Sequence, residues 1–484
     1  MTSIIAFGAY VPRRRLQREA AVASLSWFNA ALAAHARGER AIAGWDEDAI
    51  TMAVEAARDC VGEGARQTVR KLILASTSLP YADRQNAGIV KEALNLPDAV
   101  GALDVTGSQR AGTSALIAAL ESAGSGNAVL CVAAERRRAK VASEAELNYG
   151  DGGAAILVGT GPGLADLIGH HSHTIDFADH FRATDQPFDY EWEGRWIRDE
   201  GYAKIVPAAI GAALESFGVG ADAIDRFVMA APIRGIDKSV AKAAGIKAEA
   251  VQDNLQDRLG TAGCAQPLIL LAHALETAAP GELLLVAAFG QGCDTLLFRV
   301  TDAIGTRAAN MGVSGWLDRR KAEDNYIRHL YFAGALTLDG GMRAEADQRT
   351  PPSMLYRHRR SLLALIGGRC TKTGTIQFPP SQISVAQNER AIGTQEEYPL
   401  AERRARIATF TADSLVYTPD PPGCYGLVEF EGGGRMTVDF TDVDAETLEV
   451  GQPMRMMFRI KRNDVDRGFK HYFWKAVPDY RAEA

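Results

Sequence analysis

An internal repeat with a separation of 155 residues is the strongest constraint on how this chain folds. The pattern Ala-Leu-Glu-x-Ala-x-x-Gly-x-x-x-Leu begins at Ala119 and occurs again at Ala274. In both copies a helical pattern ends at a loop that contains a glycine, and an apolar strand pattern follows. Because every matched residue keeps the same offset, duplication explains the pattern better than chance in a chain rich in alanine and leucine. The sequence therefore predicts two similar halves that share one core, over residues 1–165 and 166–302.

Short apolar runs that alternate with helical patterns place both halves in the α/β class. Helical patterns occur, for example, over residues 48–60 and 113–122. Their alternation with strands predicts a largely parallel sheet covered by helices. The candidate buried strands are residues 71–76, 128–133, 154–158, 226–230, 283–287 and 295–300.

The periodic α/β pattern stops after Val300. Residues 303–350 have a mixed composition and are predicted to form a linker or helical arm. From residue 386 onwards, β-forming segments are separated by turns of Pro, Gly and Asp, which predicts a small all-β barrel of the OB type over 386–484.

The composition narrows the classes of function. A net charge of −7 argues against a nucleic-acid binder, because phosphate contacts need a basic surface. No apolar run approaches the roughly 18–20 residues that span a bilayer, and the N-terminus lacks the features of a signal peptide. The six cysteines are scattered and form no Cys-x-x-Cys pair, so we expect a cytoplasmic protein without disulfides.

The segment 104–116, Asp-Val-Thr-Gly-Ser-Gln-Arg-Ala-Gly-Thr-Ser-Ala-Leu, has the arrangement of a nucleophile turn that opens a helix. It resembles the active-site turn of the thiolase superfamily, in the branch of hydroxymethylglutaryl-CoA synthases and ketosynthase III enzymes. In that branch a cysteine three residues before a Gly-Thr pair accepts the acyl group, and Gln109 occupies this place here. The resemblance implies a duplicated five-layer αβαβα thiolase fold over the first 300 residues. It also implies acyl-CoA chemistry, with coenzyme A as substrate or co-substrate.

Two further positions differ from the pattern of that branch. Thr77 stands where the branch has a glutamate, and Ala230 stands where it has a histidine before a proline. With cysteine, glutamate and histidine all replaced, the resemblance implies that the covalent route through an acyl-cysteine is closed. The glycine framework is kept, which favours an active enzyme over a silent relative.

The C-terminal third resembles the OB-fold proteins that accompany thiolase-like enzymes. The supporting motifs lie at residues 367–370, 374–379, 417–422, 431–434 and 473–475. In those proteins a rubredoxin-like knuckle with four cysteines precedes the barrel, whereas only Cys370 remains here and Thr373 stands at the second position. One thiolate cannot hold tetrahedral zinc, so residues 351–385 are predicted to form a degenerate knuckle without metal. Binding of single-stranded nucleic acid to the barrel is the disfavoured alternative.

Enolate chemistry on this scaffold needs an oxyanion site and a base. Backbone N–H groups at a helix N-terminus, together with Ser108 and the amide of Gln109, are candidates for the oxyanion site, and Thr77 is a further candidate catalytic group. His180 is the candidate base, with a solvated loop histidine as its alternative. Tyr149 is a candidate acid or a packed aromatic, and Cys264 a candidate nucleophile or a small residue packed in a turn.

Candidate ligand-binding residues are arginines that would contact the coenzyme or the substrate and glycines that would allow close backbone approach. No metal site is expected, because His170, His171 and His173 fit no recognised ligand spacing. The candidate binding residues are Arg110, Gly112, Arg182, Arg195, Arg234, Gly263, Gly290 and Gly292.

The resulting prediction is a CoA-dependent enzyme that cleaves a carbon–carbon bond of a β-oxo or β-hydroxy acyl compound in catabolism. The route would be a non-covalent retro-Claisen or retro-aldol reaction that releases acetyl-CoA or a related thioester. One alternative is a condensing synthase or acyltransferase of the hydroxymethylglutaryl-CoA synthase type, and another is a non-catalytic scaffold subunit. The aromatic residues of segment 188–202 would suit a flat or bulky acyl group. We expect a homodimer formed through the thiolase-like domains, with no membrane or nucleic-acid partner.

Overall fold

The computed structural model describes residues 2–124, 126–345, 350–386 and 390–480. The chain divides into two units, the first formed by residues 1–44, 48–90 and 97–336, and the second by 45–47, 91–96 and 337–484. The small parts of the predicted linker and OB ranges at 346–349, 387–389 and 481–484 lie outside the described residues.

The first unit alternates strands and helices, as the apolar runs predict. Its strands are β1 (Thr2–Tyr10), β2 (Arg14–Gln17), β3 (Glu39–Ile42), β4 (Val69–Ala75), β5 (Gly101–Val105), β6 (Ala128–Glu135), β7 (Gly152–Thr160), β8 (Ala165–Thr174), β9 (His180–Phe181), β10 (Tyr190–Glu191), β11 (Arg226–Met229), β12 (Leu283–Phe289), β13 (Gly292–Val300) and β14 (Lys321–Glu323). Its helices are α1 (Arg18–Leu25), α2 (Ala49–Cys60), α3 (Glu63–Arg66), α4 (Asn86–Ala93, which continues into the second unit), α5 (Ala111–Ser122), α6 (Glu144–Asn148), α7 (Gly194–Trp196), α8 (Val206–Phe217), α9 (Ile236–Ala243), α10 (Gln266–Glu276), α11 (Gly312–Asp318) and α12 (Tyr326–Phe332), with a π-helix over Ile197–Ile205 between α7 and α8.

The main sheet shows the predicted duplication directly. Its order is β11-β12-β13-β8-β1-β7-β6-β4-β5. Read outwards from its centre, one half runs β1-β7-β6-β4-β5 and the other β8-β13-β12-β11, with the same sequence of antiparallel and parallel neighbours. The two halves join through β1 and β8, at the pairs Ser3–Asp166 and Ile4–Ala165. Among the described strands this sheet is mixed, with five antiparallel and three parallel neighbouring pairs, so the prediction of a largely parallel sheet is wrong. The repeated motif lies in α5 followed by β6 in the first half, and in α10 followed by β12 in the second.

Helices α5 and α10 meet at their N-terminal ends, where Gly112 makes the approach possible. A Cβ atom at Gly112 would overlap the carbonyl oxygen of Cys264, and it would lie 3.4 Å from the side chain of Leu268. Each of these helices follows directly on a turn that the sequence analysis assigned to the candidate site. The duplicated fold therefore brings the two turns together.

The predicted linker 303–350 is divided between the units rather than separate from them. Up to Leu336 it belongs to the first unit, where β14 adds a parallel strand to β2. The side chains of Trp316 in α11 and Tyr326 in α12 are buried. These apolar residues are the physical reason that the segment folds onto the first unit.

The second unit is a β-barrel preceded by a small sheet. Its helices are α13 (Pro352–Arg357) and α14 (Arg359–Leu363), and its strands are β15 (Ile366–Cys370), β16 (Ile376–Gln377), β17 (Gln395–Pro399), β18 (Ala405–Asp413), β19 (Gly423–Phe430), β20 (Arg435–Asp439), β21 (Pro453–Asp464) and β22 (Phe469–Pro478). The barrel strands have the antiparallel order β20-β19-β18-β21-β22, and a bridge between Phe440 and Ala476 joins its two ends. The predicted OB barrel is confirmed.

The segment predicted to be a degenerate knuckle contributes β15 and β16 to a three-stranded sheet with the order β16-β15-β17. The side chain of Cys370 is buried at the end of β15, and its Sγ lies 3.2 Å from Oγ1 of Thr394. Thr373, at the position of the second cysteine, donates a hydrogen bond to Thr375. Threonine hydroxyl groups thus make the side-chain contacts of this turn, at Thr394 with Cys370 and at Thr373 with Thr375.

Candidate active site

A cleft of about 410 Å³ lies in the first unit beside the N-terminus of α5. Its wall contains both polar and apolar side chains. The polar residues are His35, Gln109, Glu144, Arg137, Asn148, Tyr149, Asp179, His180, Glu191, Arg234 and Thr261. The apolar and small residues are Ala145, Trp192, Gly194, Ile197, Tyr202, Ala230, Ala231, Pro232, Ile233, Gly263, Pro267 and Phe289.

Gln109 and His180 meet in this cleft. Nε2 of Gln109 lies 3.1 Å from Nε2 of His180. On the other side of the imidazole, Nδ1 of His180 lies 3.0 Å from Oδ1 of Asp179, at angles that do not make a well-aligned hydrogen bond. Because an amide N–H can only donate, Nε2 of His180 is the acceptor and the ring proton is on Nδ1, facing Asp179. A neutral imidazole in this tautomer can act as a base at Nε2 when a substrate group takes the place of the amide.

Tyr149 belongs to a second polar network on the cleft wall. Its hydroxyl donates to Glu191 at 2.7 Å and accepts a hydrogen bond from Arg137 at 2.6 Å. Arg137 is also paired with Asp189 at 2.6 Å, and its guanidinium carbon lies 3.8 Å from the centre of the Tyr149 ring. Burial, together with Glu191 and Asp189, raises the pKa of Tyr149, although Arg137 opposes the rise. The tyrosine is therefore neutral and its hydroxyl is already engaged, which favours the packed aromatic over the acid.

Behind the cleft, Thr77 is bound to a buried carboxylate that the sequence analysis did not single out. The carboxylate of Glu135, at the end of β6, accepts hydrogen bonds from the backbone and hydroxyl groups of Thr77, the latter at 2.7 Å. Ser76 donates to it at 2.7 Å. Glu135 is fully buried, so it holds the strand end that carries Thr77 instead of facing the cleft.

Cys264 is also fully buried behind the cleft. Burial, and secondly the nearby carboxylate of Glu135, raise the pKa of the Cys264 thiol well above its ordinary value. A thiol is a poor nucleophile unless it ionises. Its position therefore favours the alternative of a small residue packed in a turn.

Two candidate glycines allow the site to be assembled at close range. Gly263 has a φ of +49°, and a Cβ atom there would lie 2.7 Å from Oε2 of Glu135 and 2.8 Å from Oε1 of Gln109. A Cβ atom at Gly290 would lie 2.9 Å from Oγ of Ser108. Side chains at these positions would displace the turn that carries Gln109.

The candidate residues Ser108 and Arg110 hold the turn from behind. Ser108 donates to the carbonyl of Gly290 at 2.9 Å, and Arg110 donates to the same carbonyl at 3.0 Å. Arg110 also makes a 2.6 Å ion pair with Asp294, which is buried. Arg110 was expected to bind the ligand, but its guanidinium is engaged inside the protein and positions the turn.

The remaining candidates are dispersed. Arg234 lines the cleft and pairs with Asp257 at 2.6 Å, with 45% of its side chain exposed. Arg182 donates to the backbone of Thr77 and pairs with Asp189, so it supports the wall. Arg195 is exposed on α7 and is not part of the cleft wall, and Gly292 begins β13 at a φ of +113°.

Sequence reasoning missed Glu135, Asp189 and Phe289, and it considered Arg137 only as part of the basic run 136–138, as a solvated patch or a contact to the phosphates of the coenzyme. Glu135 ends an otherwise apolar buried strand, and a carboxylate at the carboxyl end of a strand in an α/β sheet is a signal of a site. Arg137 and Asp189 carry no such signal, because they meet only through the folding of β9 and β10 against the loop after β6. The apolar run that precedes Phe289 predicts only that this residue belongs to the hydrophobic core.

In the described part of the chain, no cluster of three or more His, Cys, Asp or Glu side chains is arranged to hold a metal ion. Within the same residues, no helix is long and apolar enough to cross a membrane.

Comparison with known families matches two segments. Residues 214–297 match the family model of the C-terminal part of 3-oxoacyl-[acyl-carrier-protein] synthase III, and residues 398–459 match the C-terminal OB-fold domain of ChsH2. Among curated proteins, the hydroxymethylglutaryl-CoA synthase of Archaeoglobus fulgidus is 29% identical over 340 residues, which are 68% of this chain and 98% of that protein. The hydroxymethylglutaryl-CoA synthase of Pyrococcus furiosus is 29% identical over 66% of this chain and 93% of its own length.

Solved structures agree with the architecture. A hydroxymethylglutaryl-CoA synthase complexed with CoA superposes with a TM-score of 0.61 at 14% identity, over 72% of this chain and 94% of that one. The 3-oxoacyl-(acyl carrier protein) synthase III of Pseudomonas aeruginosa gives a TM-score of 0.56 at 19% identity, over 62% and 98% of the two chains. The first unit has a thiolase-like fold. The predicted fold class is thus confirmed for both units, and the chain is similar to hydroxymethylglutaryl-CoA synthases.

Proposed function

We propose that this chain is a CoA-dependent enzyme that cleaves a carbon–carbon bond of a β-hydroxy or β-oxo acyl thioester without an acyl-cysteine intermediate. The contact of Gln109 with His180, backed by Asp179, inside the cleft carries the proposal. Similarity to proteins named hydroxymethylglutaryl-CoA synthases supports acyl-CoA as the substrate class.

His180 is the base in this proposal. With its proton on Nδ1, its Nε2 accepts the proton of the substrate's β-hydroxyl group as the bond between Cα and Cβ breaks. The electron pair of that bond passes into the thioester and forms an enolate, and the β-carbon leaves as a carbonyl compound. Protonation of the enolate at Cα by the imidazolium of His180 then gives acetyl-CoA or a related thioester and restores the base. For a β-oxo substrate, His180 instead takes the proton of water or free CoA as its oxygen or sulfur adds to the β-carbonyl carbon. Collapse of this adduct breaks the bond between Cα and Cβ, releases the β-carbon as a carboxylic acid or its CoA thioester, and leaves the same enolate, which the imidazolium of His180 protonates at Cα.

The amide of Gln109 and the N-terminus of α5 supply the other requirement, which is stabilisation of the enolate oxygen. The amide N–H that contacts His180 is free to turn to an oxyanion once the substrate hydroxyl takes its place on Nε2. Backbone N–H groups at a helix N-terminus add a partial positive charge at the same end of the cleft. In this proposal these donors stabilise the enolate of the CoA thioester directly, so the reaction needs no acyl-cysteine.

Coenzyme A fits the more exposed side of the cleft. His35 and Arg234 line it with 22% and 45% of their side chains exposed, and N–H groups of the Arg234 guanidinium can donate to a phosphate beside its pair with Asp257. The residues present are therefore compatible with a thioester whose acyl end points towards His180.

The test is incubation with β-hydroxyacyl-CoA and β-oxoacyl-CoA thioesters, with and without free CoA, followed by mass spectrometry of the thioester products. We expect acetyl-CoA or a shortened thioester, and a fall in kcat of about 100-fold or more for His180→Ala, which is the usual contribution of a general base. His173→Ala, which changes an exposed histidine on β8, is the matched control and should leave kcat unchanged. Turnover that survives His180→Ala, or no turnover of either class of thioester, would overturn the proposal.

Condensation is the second candidate, because the similarity to proteins named hydroxymethylglutaryl-CoA synthases extends over 68% of the chain. The same groups would then act in reverse, with His180 protonating the new β-hydroxyl group. Incubation with acetyl-CoA and a carbonyl acceptor distinguishes the two directions. Product formation here, with no cleavage of the corresponding β-hydroxyacyl-CoA, would favour the synthase.

A further inference from the structure

The apolar part of the cleft has a rigid aromatic wall. Tyr202 and Phe289 line it, and their ring centres are 4.5 Å apart. Behind them Phe177 contacts Phe289 edge-on at 5.8 Å and stacks on Trp196 at 4.1 Å with an angle of 7° between the planes. Such packed rings hold their orientation, and they present flat apolar faces to a ligand.

Tyr202 belongs to the π-helix Ile197–Ile205. The neighbouring Gly201 allows this helix to pack closely against the rings of Phe177 and Phe289. A Cβ atom at Gly201 would lie 3.0 Å from ring atoms of both Phe177 and Phe289. A methyl group at this position would therefore push against Phe289, which lines the cleft. Single π-helical segments are uncommon and frequently occur at functional sites, where they reposition side chains.

Small residues form another part of the cleft wall. Ala230 and Ala231 begin the turn between β11 and α9, and both line the cleft together with Pro232. Small side chains at these positions leave space in the cleft. An apolar cavity of about 150 Å³ is enough for benzene, so a cleft of about 410 Å³ accommodates a ring and the arm of a thioester.

The charges of the cleft do not favour an acidic acyl group. Near Gln109, the guanidinium of Arg137 is already paired with Asp189 at 2.6 Å, and His180 lies beside the carboxylate of Asp179. The wall also contains the carboxylate of Glu191. A second carboxylate on the acyl group would lose its hydration without gaining an unpaired cation.

We propose that the acyl group of the substrate is neutral and bears a ring, aryl or cycloalkyl, that packs between the wall of Tyr202 and Phe289 and the turn at Ala230. This inference rests on the proposed function, since it names the substrate class of the same cleft. The cleft should therefore bind small or carboxylated acyl groups less tightly than acyl groups that bear a ring.

Binding of unreactive thioesters tests the inference independently of turnover. Calorimetric titration would compare 3-phenylpropionyl-CoA with butyryl-CoA and glutaryl-CoA. We expect the phenyl thioester to bind at least tenfold more tightly than either, because each additional buried carbon contributes about fourfold to affinity. Gly201→Ala should reduce this preference to threefold or less.

Two further variants keep the result interpretable. Ala230→Leu fills part of the cleft from the turn after β11 and should also remove the preference, with no change to the π-helix. Gly211→Ala in α8 is the matched control, since a Cβ atom there meets no atom within 4 Å, and it should retain the preference. Equal affinities for 3-phenylpropionyl-CoA and butyryl-CoA, or tightest binding of glutaryl-CoA, would overturn the inference and leave the proposed function intact. If none of the CoA thioesters binds, the proposed function and this inference both fail.

Discussion

At the residue scale, Cys264 distinguishes a covalent from a non-covalent mechanism. Its thiol is fully buried, and burial together with Glu135 raises its pKa well above the ordinary value, so it stays protonated at neutral pH. We expect Cys264→Ser to retain kcat within about threefold, whereas Gln109→Ala, which removes an oxyanion donor, should lower kcat about 10-fold to 100-fold. Both are measured with the thioester that the wild type cleaves best. A mass spectrum of the reacting enzyme with an acyl group on Cys264 would contradict this expectation.

His329 gives a prediction for the pH dependence of stability. It is 7% exposed and accepts a contact from Arg40 at 2.9 Å, and burial, followed by Arg40 and Arg136, lowers its pKa well below the ordinary value. In the folded chain it is neutral, whereas in the unfolded chain it binds a proton below about pH 6.5. The free energy of unfolding should therefore fall as the pH drops below that value, by up to about 1.4 kcal/mol per pH unit from this residue.

Urea unfolding at pH 7, 6 and 5 measures this effect. The variant His329→Gln should lose that part of the pH dependence, while His358→Gln, which changes an exposed histidine, should keep it. Equal pH dependence in the wild type and His329→Gln would show that the residue is not neutral in the folded state.

At the scale of elements, the contact of α5 with the start of α10 at Gly112 leaves no room for a side chain. A Cβ atom there would overlap the backbone of Cys264, and backbone cannot move aside as a flexible side chain does. We expect Gly112→Ala to lower the free energy of unfolding by about 3 kcal/mol, at the upper end of the range for overpacked cores. Gly211→Ala, in open space on α8, should change it by less than about 1 kcal/mol. Comparable unfolding free energies for the two variants in urea would contradict the close contact.

Some elements of the fold could be predicted from the sequence, and others could not. The strands β6, β12 and β13 are runs of apolar residues with every or nearly every position buried, so their pattern was sufficient. The 155-residue repeat gave the duplication because it covers a complete helix–loop–strand unit. The short strands β9 and β10 and the π-helix were not predicted, because their residues are mostly polar or exposed and have no single period.

The candidate site was predictable only where one short segment carries it. Gln109 was found from its own turn, and His180 from the neighbouring Asp179. The contact between Gln109 and His180 joins residues 71 positions apart, and no local pattern encodes it. The pairing of Arg137 with Asp189 likewise depends on the tertiary fold.

At the scale of the whole molecule, the second unit depends on a distant segment of the chain. Lys475 makes a 2.8 Å ion pair with Asp46, both are buried, and its Nζ lies 3.9 Å from the centre of the Trp45 ring. We expect Lys475→Met to lower the free energy of unfolding by about 3–5 kcal/mol, because it leaves Asp46 buried without its partner. Lys461→Met breaks the exposed pair with Asp439 and should cost less than about 1 kcal/mol. Equal losses in urea unfolding would show that the buried pair contributes no more than a surface pair.

The edge of the main sheet bears on the oligomeric state. Strand β5 ends the sheet, and its Leu103 is 43% exposed. Exposed edge strands with apolar side chains readily pair with another chain. We therefore expect a homodimer formed by the first unit, with a mass in light scattering twice that of one chain. Leu103→Asp should shift the protein towards the monomer, while a monomeric wild type at micromolar concentration would contradict the prediction.

The offset that relates Ala119 to Ala274 also relates Gln109 to Cys264. Gln109 and Cys264 are therefore equivalent positions of the repeat, each two residues before the start of its helix, and they differ in chemistry and in exposure. The first position opens to the cleft and carries an amide, whereas the second is closed and carries the thiol. On this scaffold, the presence of a reactive group at a repeated position says little about its use. The use depends on which of the two equivalent positions is accessible to solvent.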